Sequence, residues 1–252
     1  MNTLGMQFVP VPILGGPTGG QKLFFSVWDT RVQDYEAFVK ETKRESPKAD
    51  FEQGPTHPVV NVSWQDAQLF CQWLTLREQA SGRLPVGFRY RLPSDHEWSC
   101  AVELGAREDA AKTPAEKSWQ IKNVFPWGTQ WPPPDNAGNY WSEELRPLLA
   151  AGKFSWIKGE LAGRYDGYAT TSPVDSYAAN RFGLYDMGGN VWQWCEDWFD
   201  RDQKDRVLRG ASWDDHEGNA LLSSHRSHNA PTLRSPRNGF RCVLAAPGSP
   251  PP

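Results

Sequence analysis

The sequence predicts one α+β domain, loop-rich and low in regular structure, and three observations carry that prediction. Helical periodicity is confined to the first half of the chain, strand-like pieces gather near the end, and no βαβ alternation joins the two. Residues 23–29 (LFFSVWD) read as a strand. It leads into a helix with Thr30 as N-cap, Gln33 at the reciprocal capping-box position, and Val32, Tyr35, Phe38 and Val39 as the apolar face. A second helix opens at Ser63 with Asp66 three residues on. Ala67, Phe70, Cys71 and Leu74 fall on its buried stripe, while Gln65, Gln68 and Gln72 face away. The third opens at Ser94, paired with Glu97; it buries Trp98, Ala101 and Val102 and stops at Gly105.

From residue 106 the runs PWG, WPPPDN, YDG, NRFG and MGGN cut the chain into short aromatic segments. Loops of this length stay ordered when ions, aromatic packing or function tie them down. Val191 to Cys195, Val207 to Gly210 and Phe240 to Leu244 read as strands. With no internal repeat and no linker, residues 1–252 are expected to form a single domain, with a frayed tail at 246–252.

Composition narrows the function classes. Only 38% of the residues are hydrophobic, so the 13 Trp, 12 Phe and 7 Tyr must supply much of the buried area. The net charge of -3, with both signs mixed along the chain, leaves no basic stripe to gather phosphates, and nucleic acid is not an expected partner. The opening MNTLGMQFVPVPILGG has no charged stretch followed by an apolar run, and no segment approaches a membrane span. The expectation is a cytoplasmic monomer with no membrane partner. Cys71, Cys100, Cys195 and Cys242 are widely spaced with no CxxC pair, which leaves buried thiols and disulfides both open.

Six ordered blocks stand out: HPVVNVSWQDAQLFCQWL, RYRLPSDHEWSCA, FPWG, YATTSPVDSYAANRFGLYDMGGNVWQWCEDW, RVLRGASW and NGFRCV. In this order they resemble the sulfatase-modifying-factor family, the formylglycine-generating enzyme domain, from about residue 4 to residue 245. The resemblance implies a variant of the C-type lectin fold. It also implies structural calcium, with one set at Asp186, Gly189, Val191 and Gln193 and another at Asn139, Tyr140, Asp166 and Tyr168. Gln193 stands where the family has a carboxylate, and one charge fewer weakens a calcium site. Tight turns at Asn139, Asp166 and the paired glycines explain the same residues without an ion. Cys71 and Cys242 match a disulfide of secreted members. Cys100 matches another half-cystine whose partner position falls near Ser223.

The family's oxidation of a substrate cysteine needs two close thiols after the RGGS[WY] motif, where they bind copper as soft ligands. Here that segment is SWDDHEGNALLSSHRSHNAP, and Asp215 and either Gly218 or Ala220 take the thiol positions. Neither can do thiolate chemistry, so no copper, and equally no catalytic residue, is expected. The five histidines, His57, His96, His216, His225 and His228, show no HxxxH pair, and iron is not expected either.

What remains is the polar run between RVLRGASW and NGFRCV: Asp214, Asp215, His216, Glu217, Asn219, His225, Ser227, His228, Asn229, Ser235 and Arg237, with Trp192 and Trp213 beside it. Such side chains on loops suit either a recognition surface or an ordinary solvated face. The layout is similar to variable proteins of diversity-generating retroelements, which diversify this stretch; Glu217 is of a type such diversification does not produce. The expected function is a non-catalytic module binding a protein or small-molecule ligand there. The alternative is an oxidoreductase of the same family using a metal at Asp214, Asp215, His216 and Glu217.

Overall fold

The computed structural model describes residues 1–247, so of the expected frayed tail 248–252 lie outside the described residues, while Pro247 rests against Gly87. Two four-stranded sheets organise the chain. The first has the order β1 (Phe8–Pro12), β2 (Lys22–Ser26), β8 (Val243–Ala245), β3 (Arg89–Arg91), all antiparallel. The second has the order β6 (Ser227–Asn229), β5 (Arg206–Arg209), β4 (Trp192–Trp198), β7 (Asn238–Gly239), with only β4 and β7 parallel. β1 carries Pro10 and Pro12, which a ladder tolerates because β1 is an edge strand.

The three expected helices form as α1 (Val32–Thr42), α2 (Trp64–Ala80) and α3 (Asp95–Ala101), joined by the short α4 (Pro114–Lys117) and α5 (Arg146–Ala150). Ser63 with Asp66 and Ser94 with Glu97 close the two capping boxes read from the sequence. α1 starts one residue later than expected. Thr30 donates its backbone N–H to Phe240 O, so the box passes to Arg31, whose N–H and guanidinium both reach Asp34. α3 ends at Ala101 with Val102 as its C-cap rather than at Gly105, whose missing side chain instead makes room for the Cys100 thiol.

Tyr35, Phe38, Phe70, Leu74, Trp194 and Phe240 form one core cluster between α1, α2 and the second sheet. Val11, Leu23, Phe25, Trp98, Cys195, Val207 and Val243 form another against α3. Each such side chain contributes roughly 1.5–3 kcal/mol by leaving water. The Cys71 and Cys242 sulfurs stand 3.6 Å apart in the first cluster as free thiols. Among the described residues no helix is long and apolar enough to cross a membrane.

Candidate functional site

A third cluster, Trp141, Leu145, Phe154 and Trp213, supports the segment that follows β5. Trp213 is 1% exposed, packs edge-on against Phe51 and Phe154, and donates Nε1 to Pro236 O at 3.1 Å. With Trp213 fixed inward, Asp214 and Asp215 turn to the hydroxyl of Ser212, at 2.6 and 2.8 Å. One hydroxyl proton shared between two carboxylates satisfies neither fully, and a proton on one carboxyl relieves both contacts. Burial, with the charge of Asp214 beside it, pushes Asp215 up to about 6, which supplies that proton in mildly acid conditions.

A hollow of about 330 Å³ opens over this pair. Trp156 forms one wall and donates Nε1 to Asp214 Oδ2 at 3.3 Å, while Arg237 approaches the same oxygen at 3.4 Å. Gly159 lies on the His216 ring, where any side chain would collide. A second hollow, about 380 Å³, lies under Trp131 and is lined by Gly218, Asn219 and Leu222 of the same loop. Trp131 stacks on Phe125 at 5.5 Å and covers Gly218. Further along, Trp119 stacks on His225 at 4.9 Å, and Trp192 meets that imidazole edge-on. Burial lowers the His225 pKa, which favours the neutral ring.

Trp156, Trp131 and Trp119 are 45, 46 and 46% exposed, and all three rest on residues 214–225. They come from three separate segments with no shared spacing, so nothing in the sequence pointed to them. The only available signal was that each sits in a turn-rich run with no apolar periodicity to bury it. Of the residues read from the sequence, Asp214, Asp215, His216, Glu217, Asn219 and Arg237 line the hollows, and His225 lies between two indoles. Trp192 is buried and acts as support. Ser227, His228 and Asn229 form β6 away from both hollows, with His228 stacked on Phe199 and 2.7 Å from Asp205. Ser235 accepts the Asn61 N–H through its carbonyl.

The two residue sets expected to hold calcium differ in fit. At the first, Gln193 Oε1 already accepts from Trp98 Nε1 (2.9 Å) and Arg241 Nε (2.7 Å), and its Nε2 donates to Asp186 O. Arg241, fully buried, also donates to the carbonyls of Ser26, Tyr185 and Asp186, so a guanidinium already serves these oxygens; Asp186 Oδ1 is left buried without a partner, and beside that fixed cation this set is a poorer fit to calcium than the second. Gly189 and Val191 there serve the backbone turn, Gly189 approaching Asn139 too closely for any side chain. At the second, burial pushes Asp166 up to about 6 although the N–H groups of Tyr140 and Tyr168 both reach it. Asn139 Oδ1 and Glu144 Oε2 are buried without a partner, and Asp166 is paired with Arg164 only at 3.7 Å. Uncompensated hard oxygens of this kind fit a calcium ion.

Residues 20–246 match the model of the sulfatase-modifying factor enzyme 1-like domain. Inactive C-alpha-formylglycine-generating enzyme 2 of Bos taurus is 36% identical over 203 residues, which are 77% of this chain and 52% of that protein. The formylglycine-generating enzyme of Thermomonospora curvata is 30% identical over 220 residues, 79% of this chain and 59% of its own. The chain thus spans about half the length of the curated relatives it matches. Treponema denticola variable protein 1 superposes with a TM-score of 0.59 at 18% identity, covering 94% of this chain and 92% of its own, a likeness of fold.

Proposed function

The chain belongs to the sulfatase-modifying factor enzyme 1-like family, and on that premise we propose that it is a non-catalytic member that binds a ligand on the loop at residues 214–225. The observation that carries this reading is the convergence of three half-exposed indoles on that loop, with a hollow on either side of Glu217 to Gly218. Exposed tryptophans cost solvation unless something covers them, and aromatic faces beside Asp, Asn, His and Arg combine broad contact with directional hydrogen bonds. The inactive relative at 36% identity agrees with the same reading.

The oxidase alternative meets an obstacle in the side chains themselves. The thiol positions are Asp215 and Gly218 or Ala220, and all four cysteines are buried in other places. A structural calcium would be held by Asp166, with Asn139, Tyr140 and Tyr168 around it, and would tie the ends of the loop at 141–165 rather than touch the ligand.

Peptide and glycan arrays probed with the full chain test the proposal. The expected result is a set of ligands whose binding is lost in Trp131→Ala and Trp156→Ala while the circular dichroism spectrum is unchanged. Hits indifferent to both substitutions, or conversion of a cysteine peptide to an aldehyde by the chain, would overturn it.

A further inference from the structure

A third cavity, about 770 Å³ and larger than either hollow on the tryptophan-flanked loop, sits between the end of α1, the start of α2 and the turn that carries Arg234. It shares no lining residue with those hollows. Its walls are pinned together by Asn61, which holds a left-handed backbone (φ 57°) that asparagine adopts more readily than most residues. Asn61 Nδ2 donates to Lys48 O at 2.7 Å and its backbone N–H to Ser235 O at 3.0 Å. One residue thereby fastens the strap at 44–48 to the turn at 231–235 and keeps the space between them open.

The charges around this space do not cancel. Arg44, Lys48 and Arg234 face Glu45 and Asp66, in a molecule whose net charge is -3. Asp66 and Arg234 are committed to each other, Asp66 accepting from Nε and Nη2 of Arg234 as well as from the Ser63 backbone and hydroxyl, which leaves Arg44 and Lys48 against Glu45. Arg44 and Lys48 make no ion pair or side-chain hydrogen bond among the described residues; Arg44 only rests over the Phe38 ring at 5.5 Å. On the floor, the Tyr35 ring is buried while its hydroxyl has no hydrogen-bond partner among the described residues, and the charges of Asp66, Arg234 and Arg44 all act on it. The volume lies in the range of small-molecule sites.

We propose that this cavity binds a small polyvalent oxyanion, a phosphate ester or a polycarboxylate, between the strap cations Arg44 and Lys48 and the phenol of Tyr35, with only Nη1 of Arg234 left to add to them. Guanidinium and ammonium groups donate charge-assisted hydrogen bonds to such oxygens, and a hydroxyl on the floor gives an uncharged donor that fixes orientation.

Isothermal titration of the full chain with inorganic pyrophosphate, and separately with citrate, at low ionic strength tests this. The expected result is saturable one-to-one binding of at least one anion. Arg44→Gln and Lys48→Gln should each weaken it about three- to tenfold, and the pair together more than either alone. Both side chains are exposed and make no ion pair or side-chain hydrogen bond among the described residues, so these variants keep the fold. Tyr35→Phe should weaken binding about threefold, and Arg201→Gln, on the turn between β4 and β5, should leave it unchanged. Preference for pyrophosphate assigns the site to phosphate-bearing ligands, and preference for citrate to polycarboxylates. Absence of saturable binding of both anions, or full affinity in the double variant, overturns the proposal.

Discussion

Arg226 grips Asp95 side-on, Nε to Oδ1 at 2.9 Å and Nη2 to Oδ2 at 3.1 Å, and neither side chain is exposed beyond 1%. Arg209 and Lys117 reach the same carboxylate, and Glu108 takes the far edge of Arg226. Burial alone would raise the Asp95 pKa, but the three cations hold it well below the usual carboxylate range. The contact fastens the base of the tryptophan-flanked loop to the first turn of α3, so the loop's position depends on this one acid.

Asp95→Asn should therefore destabilise the protein by roughly 3–5 kcal/mol, because it leaves buried cations without their counter-charge. Urea denaturation measures this. A loss under about 1 kcal/mol would mean that Glu108 alone neutralises the cluster.

Stability should decline from mildly acid to neutral pH. Asp197 accepts the Asp95 N–H at 2.6 Å, and burial followed by the Asp95 charge pushes it up to about 7. Its folded value exceeds the unfolded value of about 3.9, so between those limits the folded state keeps a proton that the unfolded state has lost, and stability falls as pH rises. Asp186 and Asp215, both pushed up to about 6, act with the same sign, while His57 and His225, lowered by burial, act against it as pH rises through the histidine range. Below the window Asp95 and Glu97, held low by their arginines, act oppositely and lose their contribution on protonation. Melting temperature across pH 4 to 8 should peak on the acid side, and Asp197→Asn should flatten the descent; an unaltered slope would remove Asp197 as its cause.

Gly159→Ala should disturb the hollow over Asp214 without unfolding the chain. The new Cβ meets the His216 imidazole head-on, so where that ring holds its place residues 156–159 lift and Trp156 leaves Asp214. Iodide should then quench tryptophan fluorescence more strongly, at little change in melting temperature. Equal quenching in both proteins would show that the imidazole simply moves aside.

Calcium should bind once, not twice. Titration is expected to give one site that Asp166→Asn removes and Asp186→Asn spares, since Arg241 already serves the carbonyl of Asp186. Two equivalents of bound calcium would contradict the role given to Arg241.

The capping boxes at Ser63 and Ser94 were legible because side chain and backbone three residues apart decide them locally. The start of α1 was not, since Thr30 is claimed by Phe240, which no local pattern reveals. β1 was hidden by its prolines, and β6 by the polar triplet Ser227 to Asn229, whose pairing is imposed by β5. At the site, the polar run was readable as composition. The indoles of Trp119, Trp131 and Trp156 were not, because only tertiary packing brings them to residues 214–225.

The order of the first sheet has a consequence for biosynthesis. β8 lies between β2 and β3, which are both made long before it, so the nascent chain carries an open slot flanked by Phe25 and Tyr90 until Val243 to Ala245 arrive. The sheet therefore closes only when its last strand arrives, and a chain cut short before β8 presents two unzipped edges, suited to chaperone capture rather than to slow self-correction.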